Sequence, residues 1–304
     1  MLRVAGGLSS IVMAHRIRIR SNWKSWLPLC AAWVLLSAGC TRFDLLNATV
    51  PACGYIRTAD LEYGSLPRQK LDVYRPVHAD PDRRVVIFFY GGDWQTGSKA
   101  DYRFVAQALT SQGFIAVLPD YRLYPSVTFP AFVDDGAKAV RWVHDNVARF
   151  GGDPNRLYLM GHSAGAHIAA LLTLDPRYLA GVGLKRSAIR ATAALSGPYD
   201  FVPSPGDLPV FGMKPGDAPV PGMEPIDFVD GHEPPMLLIH GLKDQTVDAS
   251  NAARLTARIC QAGGKVRYIM YPERAHVGVV LSLAASFRWL APTLRDVSMF
   301  FREH

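Results

Sequence analysis

From about residue 66 onward, short apolar runs alternate with longer amphipathic segments. Seven runs have the pattern of strands, and several are apolar at nearly every position, as in strands covered on both faces: KLDVYRP, VVIFFY, FIAVLPD, RLYLMG, ATAALSG, PMLLIHG and VRYIMYP. Helical patterns lie between them, from Ser98 to Gly113, over about 129–150 and in NAARLTARICQAGG. This alternation predicts an α/β fold with a mostly parallel central sheet and helices on both faces.

Two segments depart from the alternation. Residues 40–65 have the pattern of a tether and an irregular lead-in, so the folded domain is predicted over residues 66–304. Residues 198–234 are dense in proline and glycine, which excludes a long regular element. Because this stretch follows a strand, we interpret it as a short lid or substrate-facing loop, with an ordinary surface loop as the alternative.

The N-terminus has the pattern of an export signal. Basic residues precede an apolar stretch from about Trp26 to Gly39, which is shorter than the roughly 20 residues of a membrane-spanning helix. The stretch ends in LLSAGC and resembles a bacterial lipoprotein signal. That resemblance implies removal of residues 1–39, a lipid on Cys40, and an exported protein anchored to the membrane of the bacterial envelope. An ordinary cleaved signal and an uncleaved anchor are the alternatives, and translation starts at Met1 or Met13.

The formal net charge of +7 comes mostly from this signal. Residues 1–39 contain five of the 33 Lys and Arg residues and no acid, so 28 basic residues face 26 acidic ones in the rest of the chain, a net charge of +2. These charges are mixed and form no basic stripe. The composition therefore argues against a nucleic-acid partner.

Two cysteines lie beyond the signal and the expected lipid site. Export to an oxidising compartment permits a disulfide between Cys53 and Cys260. Two free thiols are the alternative, since the sequence alone does not bring the two residues together.

The candidate nucleophile is Ser163, in the stretch RLYLMGHSAGAHIAALL. A strand pattern precedes the G-x-S-x-G motif and a helix pattern follows it, as in a nucleophile elbow, where a tight turn presents the serine hydroxyl above the sheet. Small residues flank the serine because such a turn is crowded. The positive end of the following helix points toward developing negative charge.

A serine hydroxyl needs a base, and the base needs a carboxylate to orient it. In this architecture the expected order along the chain is Ser, then an acid, then His. Asp244 follows the strand PMLLIHG and His276 follows the next strand, so both side chains are expected at the serine's end of the sheet. We predict that Ser163, Asp244 and His276 form a catalytic triad.

Other polar residues compete for these roles. Asp248 and Asp200 are alternatives to Asp244, which we favour because it follows its strand soonest. Three further histidines and one acid are expected to have no catalytic role. His162 and His167 are expected to be packing or surface residues, His240 a core residue, and Glu273 a solvated acid.

These motifs resemble the α/β-hydrolase superfamily over roughly residues 65–295, and within it carboxylesterases related to hormone-sensitive lipase and to BD-FAE-like and kynurenine-formamidase-like hydrolases. The stretches that carry the resemblance are LDVYRP, YGGDW, LPDYRLYPSVTFPAFVDD, GGDPNRLYLMGHSAGAHIA, HGLKDQTV and ERAHVG. The resemblance implies the α/β-hydrolase fold, with a small-molecule ester as substrate and no metal or organic cofactor.

The resemblance also assigns an oxyanion hole. The stretch VVIFFYGGDWQTG matches the segment after the third strand of these families, which usually reads H-G-G-x-W or H-G-G-G. It implies backbone N–H donors at Gly92 and Asp93, a turn shaped by Gly91, and a further donor at Ala164. Tyr90 stands where the family usually has histidine, and is expected to brace the loop through its hydroxyl or to narrow the site.

The sequence thus predicts a serine hydrolase that cleaves a carboxylic ester through an acyl-enzyme intermediate. One alternative is an amidase of the kynurenine-formamidase type, which the export signal disfavours. The alternative of another class is a non-catalytic envelope lipoprotein that uses a hydrolase fold for binding.

Overall fold

The apolar runs of the sequence form the interior strands of one eight-stranded sheet. In the computed structural model, which describes residues 42–79 and 81–304, the strands run in the order β1-β2-β4-β3-β5-β6-β7-β8. β1 pairs antiparallel with β2, and β2 with β4, while all other neighbours are parallel. The strands are β1 (Tyr55–Glu62), β2 (Lys70–Pro76), β3 (Val85–Phe89), β4 (Ile115–Pro119), β5 (Leu157–His162), β6 (Ile189–Leu195), β7 (Met236–Gly241) and β8 (Val266–Tyr271).

Helices cover the sheet and connect its parallel strands. The described residues form α1 (Arg42–Ala48), α2 (Arg103–Thr110), α3 (Ala131–Asn146), α4 (Ala164–Leu174), α5 (Pro176–Gly181), α6 (Ser250–Gln261), α7 (His276–Leu281) and α8 (Thr293–Glu303). Every residue of β3, β4, β5 and β7 is buried. The mostly parallel α/β sheet predicted from the sequence is therefore confirmed, because continuous apolar strands require cover on both faces.

Residues 40–65 were expected to be irregular, and this expectation was wrong. Residues 42–48 form α1 and residues 55–62 form β1, and the compact unit begins at Arg42 rather than at residue 66. Strand β1 lies at the edge of the sheet and is mostly exposed, so its sequence YIRTADLE lacks the apolar alternation of a half-buried strand. The expected signal over residues 1–39, and Cys40, lie outside the described residues.

A buried carboxylate attaches this polar strand to the fold. Asp72 of β2 is fully buried and accepts hydrogen bonds from Arg57 Nε and Nη2 at 2.9 and 2.7 Å and from the Asp60 amide at 2.9 Å. Lys99 Nζ lies 2.8 Å from Asp72 Oδ1, the oxygen that also accepts from the Asp60 amide. The buried charge of Asp72 is therefore paired, and ionic contacts hold β1 at the edge of the sheet. Such contacts leave no apolar periodicity in the sequence.

The proline- and glycine-rich residues 198–234 form an irregular segment with two short 3-10 helices, Leu208–Phe211 and Pro225–Phe228. Phe211 is buried, and its ring centroid lies 5.0 Å from that of Trp94, which follows β3. Aromatic packing of this kind holds the segment against the carboxyl end of the sheet, where ligands bind in parallel α/β folds.

Cys53 and Cys260 are both exposed and carry free thiols. Of the two alternatives left open by the sequence, the structure has the unpaired one. Within the described residues, no helix combines the length and the apolar character needed to cross a bilayer.

Helix α4 passes so close to the ends of two strands that only glycine fits between them. A Cβ added to Gly165 would lie 2.1 Å from the carbonyl oxygen of Phe89, and one added to Gly161 would lie 2.2 Å from the carbonyl oxygen of Gly165. Backbone atoms cannot rotate away as a side chain can. The two glycines of the G-x-S-x-G motif therefore set the spacing between α4, β5 and the end of β3.

We expect Gly165→Ala to lower the free energy of unfolding by at least about 3 kcal/mol, because the added methyl group forces the helix away from the sheet. Urea denaturation followed by circular dichroism measures this change. Gly181→Ala is the matched control, since nothing lies within 4 Å of the added Cβ there, and it should leave stability unchanged or slightly higher. Equal stability of the Gly165→Ala variant and the wild type would contradict the packing argument.

Candidate active site

Ser163 lies at the sharp turn between β5 and α4. Its backbone is in the left-handed region, at φ 54° and ψ −124°, and its amide donates to the Leu195 carbonyl at 2.9 Å. A non-glycine residue in this conformation costs of the order of 1–3 kcal/mol, and such residues cluster at functional sites. The turn has the geometry expected of a nucleophile elbow.

His276 and Asp244 are brought together at the ends of β8 and β7. His276 Nδ1 donates to Asp244 Oδ2 at 2.8 Å, and the Asp244 side chain is fully buried. The other oxygen of Asp244 accepts from the amides of Thr246 and Val247, both at 2.9 Å. These bonds fix the carboxylate, which in turn holds the proton of His276 on Nδ1 and leaves Nε2 able to act as a base.

A second histidine contacts the same carboxylate. His240 Nε2 lies 3.1 Å from Asp244 Oδ2 and 3.0 Å from the Val247 carbonyl, so it faces two acceptors and carries the proton. Burial alone would raise the pKa of Asp244, but the hydrogen bonds from His240 and His276 outweigh it and hold the pKa well below its usual range. The sequence predicts a core position for His240 and no contact with Asp244. Its position four residues before Asp244, near the end of β7, was the available signal.

The imidazole of His276 lies beside the elbow. His162, the residue before Ser163, donates from Nε2 to the His276 carbonyl at 3.2 Å, and the two rings are 4.8 Å apart. No hydrogen bond joins Ser163 to His276 among the described residues. Bonds between a nucleophile and its base are often loose without substrate and tighten when it binds.

The histidines that flank Ser163 are buried and neutral. Burial, with a contribution from the neighbouring His276, lowers the pKa of His162 to about 3. Burial lowers the pKa of His167 to about 4, and its Nε2 donates to the Met223 carbonyl at 2.7 Å. Both side chains therefore pack and support the turn, and neither adds a charge beneath the nucleophile.

The competing acids lie away from His276. Asp248 accepts from the Ser250 amide at 2.7 Å, and Asp200 is paired with Arg254. Glu273 is exposed and paired with Lys243. Asp244 is thus the carboxylate that contacts His276 in the part of the chain that the structure describes.

The turn after β3 lies against the elbow. A Cβ added to Gly91 would come within 2.9 Å of the Ser163 Cβ, so the backbone passes directly beside the nucleophile. Gly92 and Asp93 have φ angles of 130° and 52°. Within residues 81–304, the amides of Gly92, Asp93 and Ala164 donate to no other group of the chain. Free N–H groups on both sides of a serine are what an oxyanion hole requires.

Tyr90 braces this turn from beneath. Its ring is fully buried, its hydroxyl donates to Asp120 Oδ1 at 3.1 Å, and the same hydroxyl accepts from Arg68 Nη2 at 2.7 Å. Arg68 Nη2 also donates to the Gly97 carbonyl at 2.8 Å, at the far end of the turn. Tyr90 therefore ties both ends of residues 91–97 together, and its ring points into the core and does not narrow the cavity.

A cavity of about 960 Å³ opens at the elbow. Ser163 and Ala164 line it, together with Asp93 and Trp94 from the turn after β3 and Phe201 from the insertion. Its size is that of a site for a small organic molecule. Residues 198–234 thus form part of its wall.

The chain is similar in sequence to known esterases. The chain is 32% identical over 246 residues to isoprenylcysteine alpha-carbonyl methylesterase ICME of Arabidopsis thaliana, and 31% identical over 250 residues to esterase LipQ of Mycobacterium tuberculosis. These alignments cover 72% and 76% of this chain. The chain spans 56% and 59% of the length of these relatives.

Solved structures show the same fold. A truncated carbohydrate esterase from gut microbiota superposes with a TM-score of 0.71 at 23% identity, covering 83% of this chain and 98% of that one. Esterase B from Lactobacillus rhamnosis superposes with a TM-score of 0.72 at 21% identity, covering 92% and 96%. The fold is therefore the α/β-hydrolase fold. Because the BD-FAE family model matches residues 71–259, from β2 into α6, this chain belongs to the BD-FAE family.

Proposed function

We propose that this protein is a serine hydrolase that cleaves carboxylic esters. The observation that carries the proposal is the hydrogen-bonded pair of Asp244 and His276 beside the strained turn of Ser163. The names of the relatives, which include methylesterases and esterases, support an ester as the bond that is cleaved.

In the proposed reaction, Ser163 Oγ attacks the ester carbonyl carbon while its proton passes to His276 Nε2. The oxyanion binds the amides of Gly92, Asp93 and Ala164, and Asp244 stabilises the imidazolium. His276 then gives the proton to the leaving alcohol, which departs and leaves an acyl group on Ser163. Water activated by His276 attacks the acyl-enzyme, releases the acid and restores the serine.

We expect Ser163→Ala to reduce kcat/KM for p-nitrophenyl butyrate by at least about 10,000-fold, because the nucleophile of the proposed triad is lost. Ser298→Ala is the control. Ser298 is a buried serine of α8 whose hydroxyl has no hydrogen-bond partner within residues 42–79 and 81–304, so its loss should leave the rate unchanged.

The same assay distinguishes the alternatives. Faster cleavage of formanilide than of the ester would favour the amidase. A wild type that cleaves neither substrate would contradict catalysis altogether and favour the non-catalytic binding protein.

We also propose that Tyr90 positions the oxyanion hole through its hydroxyl. We expect Tyr90→Phe to lower kcat about tenfold with little change in KM, since a displaced donor loses part of the 100- to 1,000-fold effect of an oxyanion contact. Steady-state kinetics on p-nitrophenyl butyrate separate the two constants.

Tyr158→Phe is the matched control for this variant. Tyr158 is equally buried, and its hydroxyl has no hydrogen-bond partner in the described part of the chain, so the same chemical change should leave kcat unaltered. Tyr90→His tests whether the residue usual in the family restores the rate. Equal kcat values for Tyr90→Phe and the wild type would exclude a positioning role.

We further propose that the protein is exported and anchored by a lipid on Cys40. The support is the sequence alone: five basic residues, an apolar stretch ending at Gly39, and the terminal LLSAGC. Stable anchoring requires more than one acyl chain, as a lipoprotein modification supplies.

We expect Cys40→Ser to abolish incorporation of labelled palmitate in bacteria and to move the protein from the membrane to the soluble fraction. Cys53→Ser is the control, because that exposed thiol lies outside the proposed signal. Unchanged partitioning of the Cys40→Ser protein would rule out the lipid anchor.

A further inference from the structure

The cavity beside Ser163 is lined by an excess of acidic side chains. They come from three separate segments, namely the turn after β3, the insertion and the loop after β7: Asp93, Asp200, Asp207, Glu224 and Asp248. Among the described residues, Arg254 is the one Lys or Arg that lines the cavity. Five carboxylates and one guanidinium give the wall a formal charge of −4, whereas residues 40–304 as a whole carry a net charge of +2.

That guanidinium is already paired. Arg254 binds the carboxylate of Asp200, and its Nη2 also donates to the Asp200 carbonyl at 2.6 Å. Asp207 accepts from the neutral groups of Gln95 and Ser204, at 3.2 and 2.6 Å. Glu224 accepts from the Phe201 amide at 3.1 Å.

The negative charge of Asp207 acts on Asp93, which lines the same cavity. Burial raises the pKa of Asp93, and the negative charge of Asp207 raises it further. Neither carboxylate forms an ion pair with Lys or Arg in the part of the chain that the structure describes. Like charges held beside a site for a ligand are stabilised when the ligand supplies the opposite charge.

The aromatic part of the cavity wall suits an alkylammonium cation. The ring of Trp94 stacks on that of Phe201 with centroids 6.2 Å apart, and both residues line the cavity. Aromatic rings beside carboxylates are the usual surroundings of an alkylammonium group. Trp94 is buried, and its Nε1 has no hydrogen-bond partner among the described residues.

We propose that the physiological substrate is an ester that carries a positive charge, as an alkylammonium group in its acyl or alcohol part. This inference rests on the proposed ester hydrolysis and names its substrate class. The cation lies against the carboxylates of the cavity wall while the ester carbonyl faces Ser163.

The test uses two pairs of esters that differ only in charge. One pair is the p-nitrophenyl ester of trimethylammonio-butyrate and its analogue with carbon in place of nitrogen. The other pair is butyrylcholine and its equivalent carbon analogue. We expect kcat/KM to be about tenfold higher for the cation of at least one pair at low ionic strength, and the preference to shrink in about 0.5 M NaCl because salt screens exposed charges.

Two variants connect the preference to the cavity wall. The double variant Asp207→Asn with Glu224→Gln removes two charges and retains side chains of the same shape, so the ratio of the two kcat/KM values should fall several-fold. Asp227→Asn is the matched control. Asp227 belongs to the same insertion but is exposed and does not line the cavity. Removing its charge should therefore leave the ratio of the two kcat/KM values unchanged.

A ratio of one or less in both pairs, with the neutral p-nitrophenyl ester still cleaved, overturns the cationic substrate and leaves the ester hydrolase intact. An unchanged ratio in the double variant overturns it as well. Failure to cleave any p-nitrophenyl ester, including the butyrate, instead contradicts the proposed function itself.

Discussion

The close approach of helix α4 to the ends of β3 and β5 is the constraint on which the site depends. With no side chain at Gly161 or Gly165, the helix can begin directly at the end of β5, and Ser163 is forced into the left-handed turn between them. The same approach brings the backbone after β3 against the nucleophile. The reactive hydroxyl and the amides proposed to stabilise the oxyanion are therefore positioned by one packing contact.

Buried hydrogen bonds fix both the Asp244 carboxylate and the turn after β3. On one side, the Asp244 carboxylate accepts hydrogen bonds from two backbone amides and two imidazoles, which stabilise its charge. On the other side, Tyr90 joins Arg68 and Asp120 under the turn after β3. Because the Asp244 carboxylate and the Tyr90 hydroxyl are both hydrogen-bonded, their positions are set before substrate arrives.

The irregular insertion gives this common core its individual cavity. Its aromatic residues pack against Trp94, while its carboxylates face the same space as Ser163. A fold shared by many hydrolases supplies the proposed chemistry, and a segment without regular structure supplies the charge that the substrate meets. The composition does not reveal the excess of negative charge in the cavity, because residues 40–304 as a whole are close to neutral.

The sequence by itself determined the α/β class, seven of the eight strands and the candidates Ser163, Asp244 and His276, because continuous apolar runs and motifs at strand ends are local signals. It could not determine β1, whose polar side chains are held by Asp72 across the sheet edge. Nor could it reveal His240 beside Asp244, or decide between the two roles expected for Tyr90, because the partners of the Tyr90 hydroxyl lie 22 and 30 residues away in the chain. Such contacts join side chains distant in sequence and carry no periodicity. Only the tertiary structure decided that the glycine-rich turn after β3 lies against Ser163, and that five acids from three segments share its cavity.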